Sequence, residues 1–269
     1  MIGLGVVTIG SATTALTGAT LSNTVSPTAD FRVNVEGELL AEKGGNFPDS
    51  GTSSDVSVGD STVTYYTSDS TDSTVFNELD GEGGLAAVAD EESNDALHIG
   101  LALPYSEISG ASTPVKFNFP DFIQLVNNTS SDYEAAFGWD SDGGSIDDTS
   151  DDQHGFETDP ATGSAAVSET GGSEQLSFNE VAYMFGFEDT NDNRISPEGA
   201  DSQGNSISSA PNAVTVAAGT TERIDLTIEI TSSMQSTIDS FVSSNNLQTS
   251  GNPMSLVDAI YIGAQQDPI

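Results

Sequence analysis

Apolar residues spaced two apart, in short blocks between Gly, Ser, Asp and Asn, constrain this chain more than any other feature. Ile224, Leu226, Ile228 and Ile230 would share one face of an extended segment, as would Val181, Tyr183, Phe185 and Phe187. Successive side chains of a strand point to opposite faces, so this spacing suits a segment with one face in a core. Further strands are expected over 31–35 (FRVNV), 63–66, 96–103 (ALHIGLAL), 115–119, 122–126 after Pro120, and 259–264. One segment has helical spacing instead: Met234, Ile238, Phe241 and Val242, with Ser232 or Ser233 able to cap its start. The pattern predicts an all-β fold, an antiparallel β-sandwich with one short helix and acidic loop insertions. Residues 1–29 read as an apolar, small-residue segment and 30–269 as the β-sandwich domain.

Charge sets the environment. The chain of 269 residues has 42 acidic and 5 basic side chains, a formal charge of -37, spread along its length and not gathered in a tail. At ordinary ionic strength such a surface repels itself and opposes compaction. In molar salt the Debye length falls to roughly 3 Å and neighbouring carboxylates are screened from one another. Concentrated brine, and an extreme halophile as source, is the simplest setting. A disordered acidic linker has similar charge, but 35% of these residues are apolar and they fall in strand-like blocks. Nucleic acid and anionic membrane surfaces are repelled, and no run approaches the ~18 apolar residues of a spanning helix. Without cysteine, neither disulfides nor thiolate metal sites are available.

The first 29 residues break the acidic pattern, for no acid precedes Asp30. MIGLGVVTIG is apolar, and SATTALTGAT follows with small residues. The pair has the h-region and cleavage zone of a secretory signal without its basic n-region, so it is either a trimmed signal or part of the mature protein. As a strand it would place Ile2, Leu4 and Val6 on one face and Val7 and Ile9 on the other. Two overlapping sequons, with Asn127 and Asn128 as acceptors, accord with export.

Catalysis has little support. His98 and His154 are the two histidines, neither in an H-E-x-x-H arrangement, and no G-x-S-x-G elbow or phosphate-binding glycine loop occurs. Carboxylate pairs arise at every spacing in this composition and indicate nothing alone. Two acids converging near Trp139, the single tryptophan, would point to a secreted hydrolase, but no enzyme is expected. No cofactor is required, and Ca2+ is the one candidate ion. Asp189, Asn191 and Asn193 begin like a calcium loop, with Glu198 and Asp201 as more distant ligands. Arg194 stands where that loop needs glycine, and no glutamate occupies the twelfth position. A plain β-turn with Asx hydrogen bonds is the competing reading. Asp140, Asp142 and Asp147 form a weaker candidate within 132–159, a stretch of ten acids read as a solvated loop.

Residues 16–40 (LTGATLSNTVSPTADFRVNVEGELL) resemble the start of TasA/camelysin-like secreted proteins and their archaeal relatives, where such a segment leads into the first strand. FPDFIQLVNNT at 119–129 and AVTVAAGTTERIDLTI at 213–228 are similar to a later strand-and-turn and a hairpin of that family. Segments 50–95 and 132–172 fall outside the resemblance. It implies a jelly-roll-like β-sandwich, exported and assembled into extracellular filaments in which one subunit's N-terminal strand completes the next subunit's sheet. Copies of itself are then the expected partner, at the cell surface or in a biofilm matrix. The alternative is a monomeric secreted or cell-surface binding module for carbohydrate or calcium.

Overall fold

A computed structural model describes residues 24–25, 27–36, 39–49, 52–68, 84–90, 97–138, 158–159, 164–166, 175–196, 202–203, 212–244 and 254–266. Strands dominate them. A five-stranded sheet is built from β1 (Thr24–Val25), β4 (Ser53–Val58), β5 (Ser61–Ser68), β6 (Leu85–Asp90) and β7 (His98–Pro104), in the order β1-β7-β6-β5-β4. A second sheet has the order β13-β15-β8-β3, from β3 (Leu39–Lys43), β8 (Val115–Asn127), β13 (Phe185–Glu188) and β15 (Thr221–Ile230). A third has the order β14-β9-β16-β2, from β2 (Pro27–Glu36), β9 (Tyr133–Gly138), β14 (Val214–Val216) and β16 (Met254–Gln266). β10 (Thr158–Asp159), β11 (Ser164–Ala166) and β12 (Gln175–Ser177) make a small sheet. Three helices accompany them: α1 (Tyr105–Ile108), α2 (Phe178–Met184) and α3 (Ser232–Ser244).

The fold is all-β and mostly antiparallel, with two parallel ladders, β16 on β2 and β5 on β6. Alternation is the reason these segments are strands. In β15, Ile224, Leu226, Ile228 and Ile230 are all buried, while Glu222, Asp225 and Glu229 are half-buried or turned outward. The inward residues of the three large sheets share one core. Phe137 of β9 stacks on Phe187 of β13 at 4.5 Å, and Phe47 meets Tyr65 of β5 edge-on at 4.8 Å and Phe122 of β8 at 6.1 Å. β6 is buried on both faces: Leu85, Ala87 and Ala89 join the main core, and Ala86 and Val88 pack with Ala102 and Tyr66 on the other side.

Several expectations need correction. The strand foreseen across 181–187 is half helix: α2 runs to Met184 and β13 begins at Phe185. Ala182 and Met184 are buried as well as Phe185 and Phe187, so the run VAYMFGF never was a strict alternation. The two strands expected either side of Pro120 are one thirteen-residue strand, β8. Segments 50–95 and 132–172 are not mere insertions, since they supply β4, β5, β6 and β9, and β9 lies between β14 and β16. Tyr133, Ala135 and Phe137 of β9 are buried in alternation within a stretch whose acid count suggested a loop. Helix α3 is where the spacing placed it, but its cap is Thr231, whose Oγ1 accepts the Met234 N–H at 3.4 Å.

Candidate functional site

The outward face of the second sheet is built around a break in β8. Asp121 has φ of +48°, a left-handed conformation uncommon outside glycine, and opposite it the β15 ladder shifts register between Ile224 and Leu226. Asp225, the residue skipped there, accepts the Asp121 N–H on its carboxylate at 2.6 Å. Pro120 has no N–H to lose at the bend, and its carbonyl accepts Asn46 Nδ2 at 2.7 Å and the Tyr65 hydroxyl at 2.9 Å. Burial pushes the Tyr65 phenol well above its ordinary value. Gly44 donates to the Phe122 carbonyl at 3.1 Å and lies so close that a Cβ there would stand 1.5 Å from the Asp121 carbonyl oxygen.

Beside this bend lies an open cleft of about 520 Å³, lined by Val58, Lys116, Asn118, Glu188, Asp225 and Thr227 among others. Glu188 and Asp225 face each other directly across the β13–β15 ladder. Burial pushes the Glu188 carboxyl up, against the opposing pull of Lys116 and the Thr227 hydroxyl, with the Asp192 charge adding to the rise. Burial likewise raises Asp225, more than its bond from the Asp121 N–H lowers it. Thr227 Oγ1 lies 3.2 Å from Asn118 Oδ1 and 3.3 Å from Glu188 Oε2 and can donate to one at a time. The cleft therefore offers acidic acceptors, one ammonium and neutral polar groups to a solute.

Asp189, Asn191 and Asn193 form a turn closed on itself. Asp189 Oδ1 accepts the backbone N–H of Asn191 at 2.8 Å and of Asn193 at 2.9 Å, and Asn193 Nδ2 reaches both carboxylate oxygens, at 3.2 and 3.0 Å. Burial would raise the Asp189 carboxyl, but these bonds together hold it below the usual carboxylate range. Its oxygens are thus occupied by the turn, as the Asx reading requires. Glu198 and Asp201 lie outside the described residues. Among the described residues no group of three or more His, Asp or Glu side chains is placed to hold a metal ion.

Arg194 has a definite task in the position where a calcium loop needs glycine. Its guanidinium donates to the carbonyls of Ala182 at 2.5 Å, Tyr183 at 3.3 Å, Phe185 at 3.0 Å and Ser196 at 3.2 Å. Ala182 and Tyr183 lie in the last turn of α2, where carbonyls have no acceptor role within the helix, and Phe185 opens β13. Sequence alone cannot show this, because the carbonyls belong to residues nine to twelve positions away.

The two sequon asparagines separate. Asn127 is fully buried, with Nδ2 donating to the carbonyls of Ser131 and Val216, both at 2.8 Å, and cannot carry a glycan in this fold. Asn128 is exposed. Leu40 on the edge strand β3 is 49% exposed, the one large apolar side chain so open among the described residues. His98 lies in β7, across the ladder from Asp90. The expected interface residues Ile2, Leu4, Val6, Val7 and Ile9, together with Asp140, Asp142, Asp147, Trp139 and His154, lie outside the described residues. No helix among the described residues is long and apolar enough to cross a membrane. No protein-family model matches the chain, and no curated protein or solved structure matches it either.

Proposed function

We propose that this chain is the structural subunit of an extracellular filament, pilus-like or a biofilm matrix fibre, of a halophilic archaeon. In this reading the body is a jelly-roll-like β-sandwich, and residues 2–9 of one subunit add as a strand to a sheet of the next. The observation that carries it is the run of 29 residues without an acid at the start of a chain of charge -37. That run is the longest stretch without an acid, and it can approach another copy without like-charge repulsion. Strand addition satisfies a row of unpaired backbone groups and buries alternate side chains, which suits Ile2, Leu4 and Val6. A head-to-tail contact of this kind propagates and does not close.

The sheet edges support the same reading. β1 and β2 stand at the edges of their sheets. β3 is also an edge strand, and the exposed Leu40 makes it the acceptor we favour. The competing reading, a monomeric module binding carbohydrate or calcium, would use the polar cleft beside Glu188 and Asp225. Deleting residues 1–10 separates them. Electron microscopy in molar salt is expected to show filaments from the full chain, fewer from Leu40→Asp, and monomers alone from the deletion. Filaments of unchanged length from the deletion would sink the proposal.

A further inference from the structure

The turn between β8 and β9 carries two overlapping N-x-[S/T] triplets, and the fold treats their asparagines in opposite ways. We propose that Asn128 is an N-glycosylation acceptor of the folded protein, with a lipid-linked oligosaccharide phosphate as the donor class, and that Asn127 is the buried brace presenting it. This rests on the export proposed above, because N-linked transfer belongs to exported chains.

The turn alternates. Asn127 points inward: both hydrogens of its amide are given to the carbonyls of Ser131 and Val216, each at 2.8 Å. Its Oδ1 accepts the Thr129 backbone N–H at 2.9 Å and lies 2.8 Å from the Thr129 hydroxyl. The Thr129 hydroxyl also accepts the Ser131 N–H at 3.2 Å, so the hydroxyl of the first triplet is consumed by the same network. Asn128 and Ser130, the acceptor and hydroxyl of the second triplet, are both exposed. The turn is tied at either end, by the Asn127 N–H to the Thr220 carbonyl at 2.9 Å and by the Ala218 N–H to Asp132 Oδ1 at 2.8 Å. A glycan on Asn127 would replace a hydrogen that is bonded within the fold and would need space where the side chain has no exposure. On Asn128 it would extend into solvent.

In the transfer, Nδ2 of Asn128 bonds to the anomeric carbon of the donor. The bond from that carbon to the lipid phosphate oxygen breaks, the phosphate leaves with the electron pair, and one Nδ2 hydrogen departs as a proton. No oxidant or reductant enters.

The test uses the purified, folded full chain, a lipid-linked oligosaccharide and an oligosaccharyltransferase that accepts N-x-[S/T], followed by glycopeptide mass mapping. The glycan is expected on Asn128 alone, with complete loss in Asn128→Gln and in Ser130→Ala. Ser130→Ala changes an exposed hydroxyl and leaves the Asn127 triplet intact, so loss of folding does not confuse it. A peptide spanning residues 122–134 serves as the positive control. Modification of Asn127 in the folded chain, or a folded chain left unmodified while the peptide is modified, would overturn the proposal. Mapping of protein secreted by its native host tests export separately: a secreted chain bearing no glycan at Asn128 counts against the proposal, whereas retention in the cell defeats the export reading and leaves the in-vitro result standing.

Discussion

Gly44 is where one residue type is required by contact. Its N–H meets the Phe122 carbonyl at 3.1 Å, and any Cβ would stand 1.5 Å from the Asp121 carbonyl oxygen, a backbone atom that cannot rotate away. Gly44→Ala must therefore push β3 away from the bend of β8. The expected cost exceeds about 3 kcal/mol, the range in which backbone clashes and lost core contacts combine. Denaturant unfolding in molar salt measures it, and a loss below 1 kcal/mol, roughly that of an ordinary surface change, would contradict the contact. Nothing in the sequence distinguishes Gly44 from Gly45 or its other glycines, because the atom it must avoid lies far along the chain. Asp189 was legible in a limited way: its spacing to Asn191 and Asn193 announced side-chain oxygens meeting a tight turn, and that is what the carboxylate does. Spacing leaves the partner of those oxygens open; in the fold Asp189 Oδ1 accepts the N–H groups of Asn191 and Asn193.

Among the elements, α2 and β13 show best where periodicity falls short. The run from Val181 to Phe187 is apolar at too many positions to separate a period of two from one of 3.6. A tertiary contact decides it, for Arg194 binds the carbonyls of Ala182, Tyr183 and Phe185 and so completes the end of the helix. An ammonium cannot reproduce that planar fork. Arg194→Lys is expected to lose about 1–3 kcal/mol, the range for hydrogen bonds from a charged donor. Equal stability of Arg194→Lys and the parent in urea unfolding would show that the clasp is dispensable. β8 teaches the reverse lesson. Pro120 suggested a boundary between strands, yet the strand continues, because the bend directs the Pro120 carbonyl to Asn46 and Tyr65 and the Asp121 N–H to Asp225. The clean alternations, in β5 and β15, were legible because each has one face in the core. β9 was hidden by the acids around it.

For the whole molecule, the acids differ in what they do to stability. Glu188 and Asp225, raised by burial, bind protons more tightly folded than unfolded. Their contribution therefore improves as pH falls through their raised values toward the ordinary carboxylate range, roughly pH 4. Asp189 runs the other way: its lowered value gives stability that is present above that range and lost as pH falls below it. At constant molar salt, melting temperature is expected to rise modestly as pH falls from about 7 and to drop below about pH 4. Asp225→Asn should flatten the rise, and a melting temperature that fell steadily from neutrality in the parent would refute the assignment.

Two of the five bases brace the fold: Lys43 donates to the Pro48 carbonyl at 3.1 Å and to Thr67 at 3.3 Å, and Arg194 donates to four carbonyls. Arg223, 66% exposed and 3.7 Å from Asp121, is a solvent-screened pair of little weight. Local spacing and charge suffice for the all-β class, the position of the longest helix among the described residues, the strands with clean alternation and the neutrality of the first 29 residues. The tertiary structure alone decided which strands neighbour one another, that β8 passes through a proline, that Arg194 finishes a helix, and that of two adjacent asparagines one is buried and the other open. Those outcomes depend on which distant backbone groups meet, and no spacing along the chain encodes that.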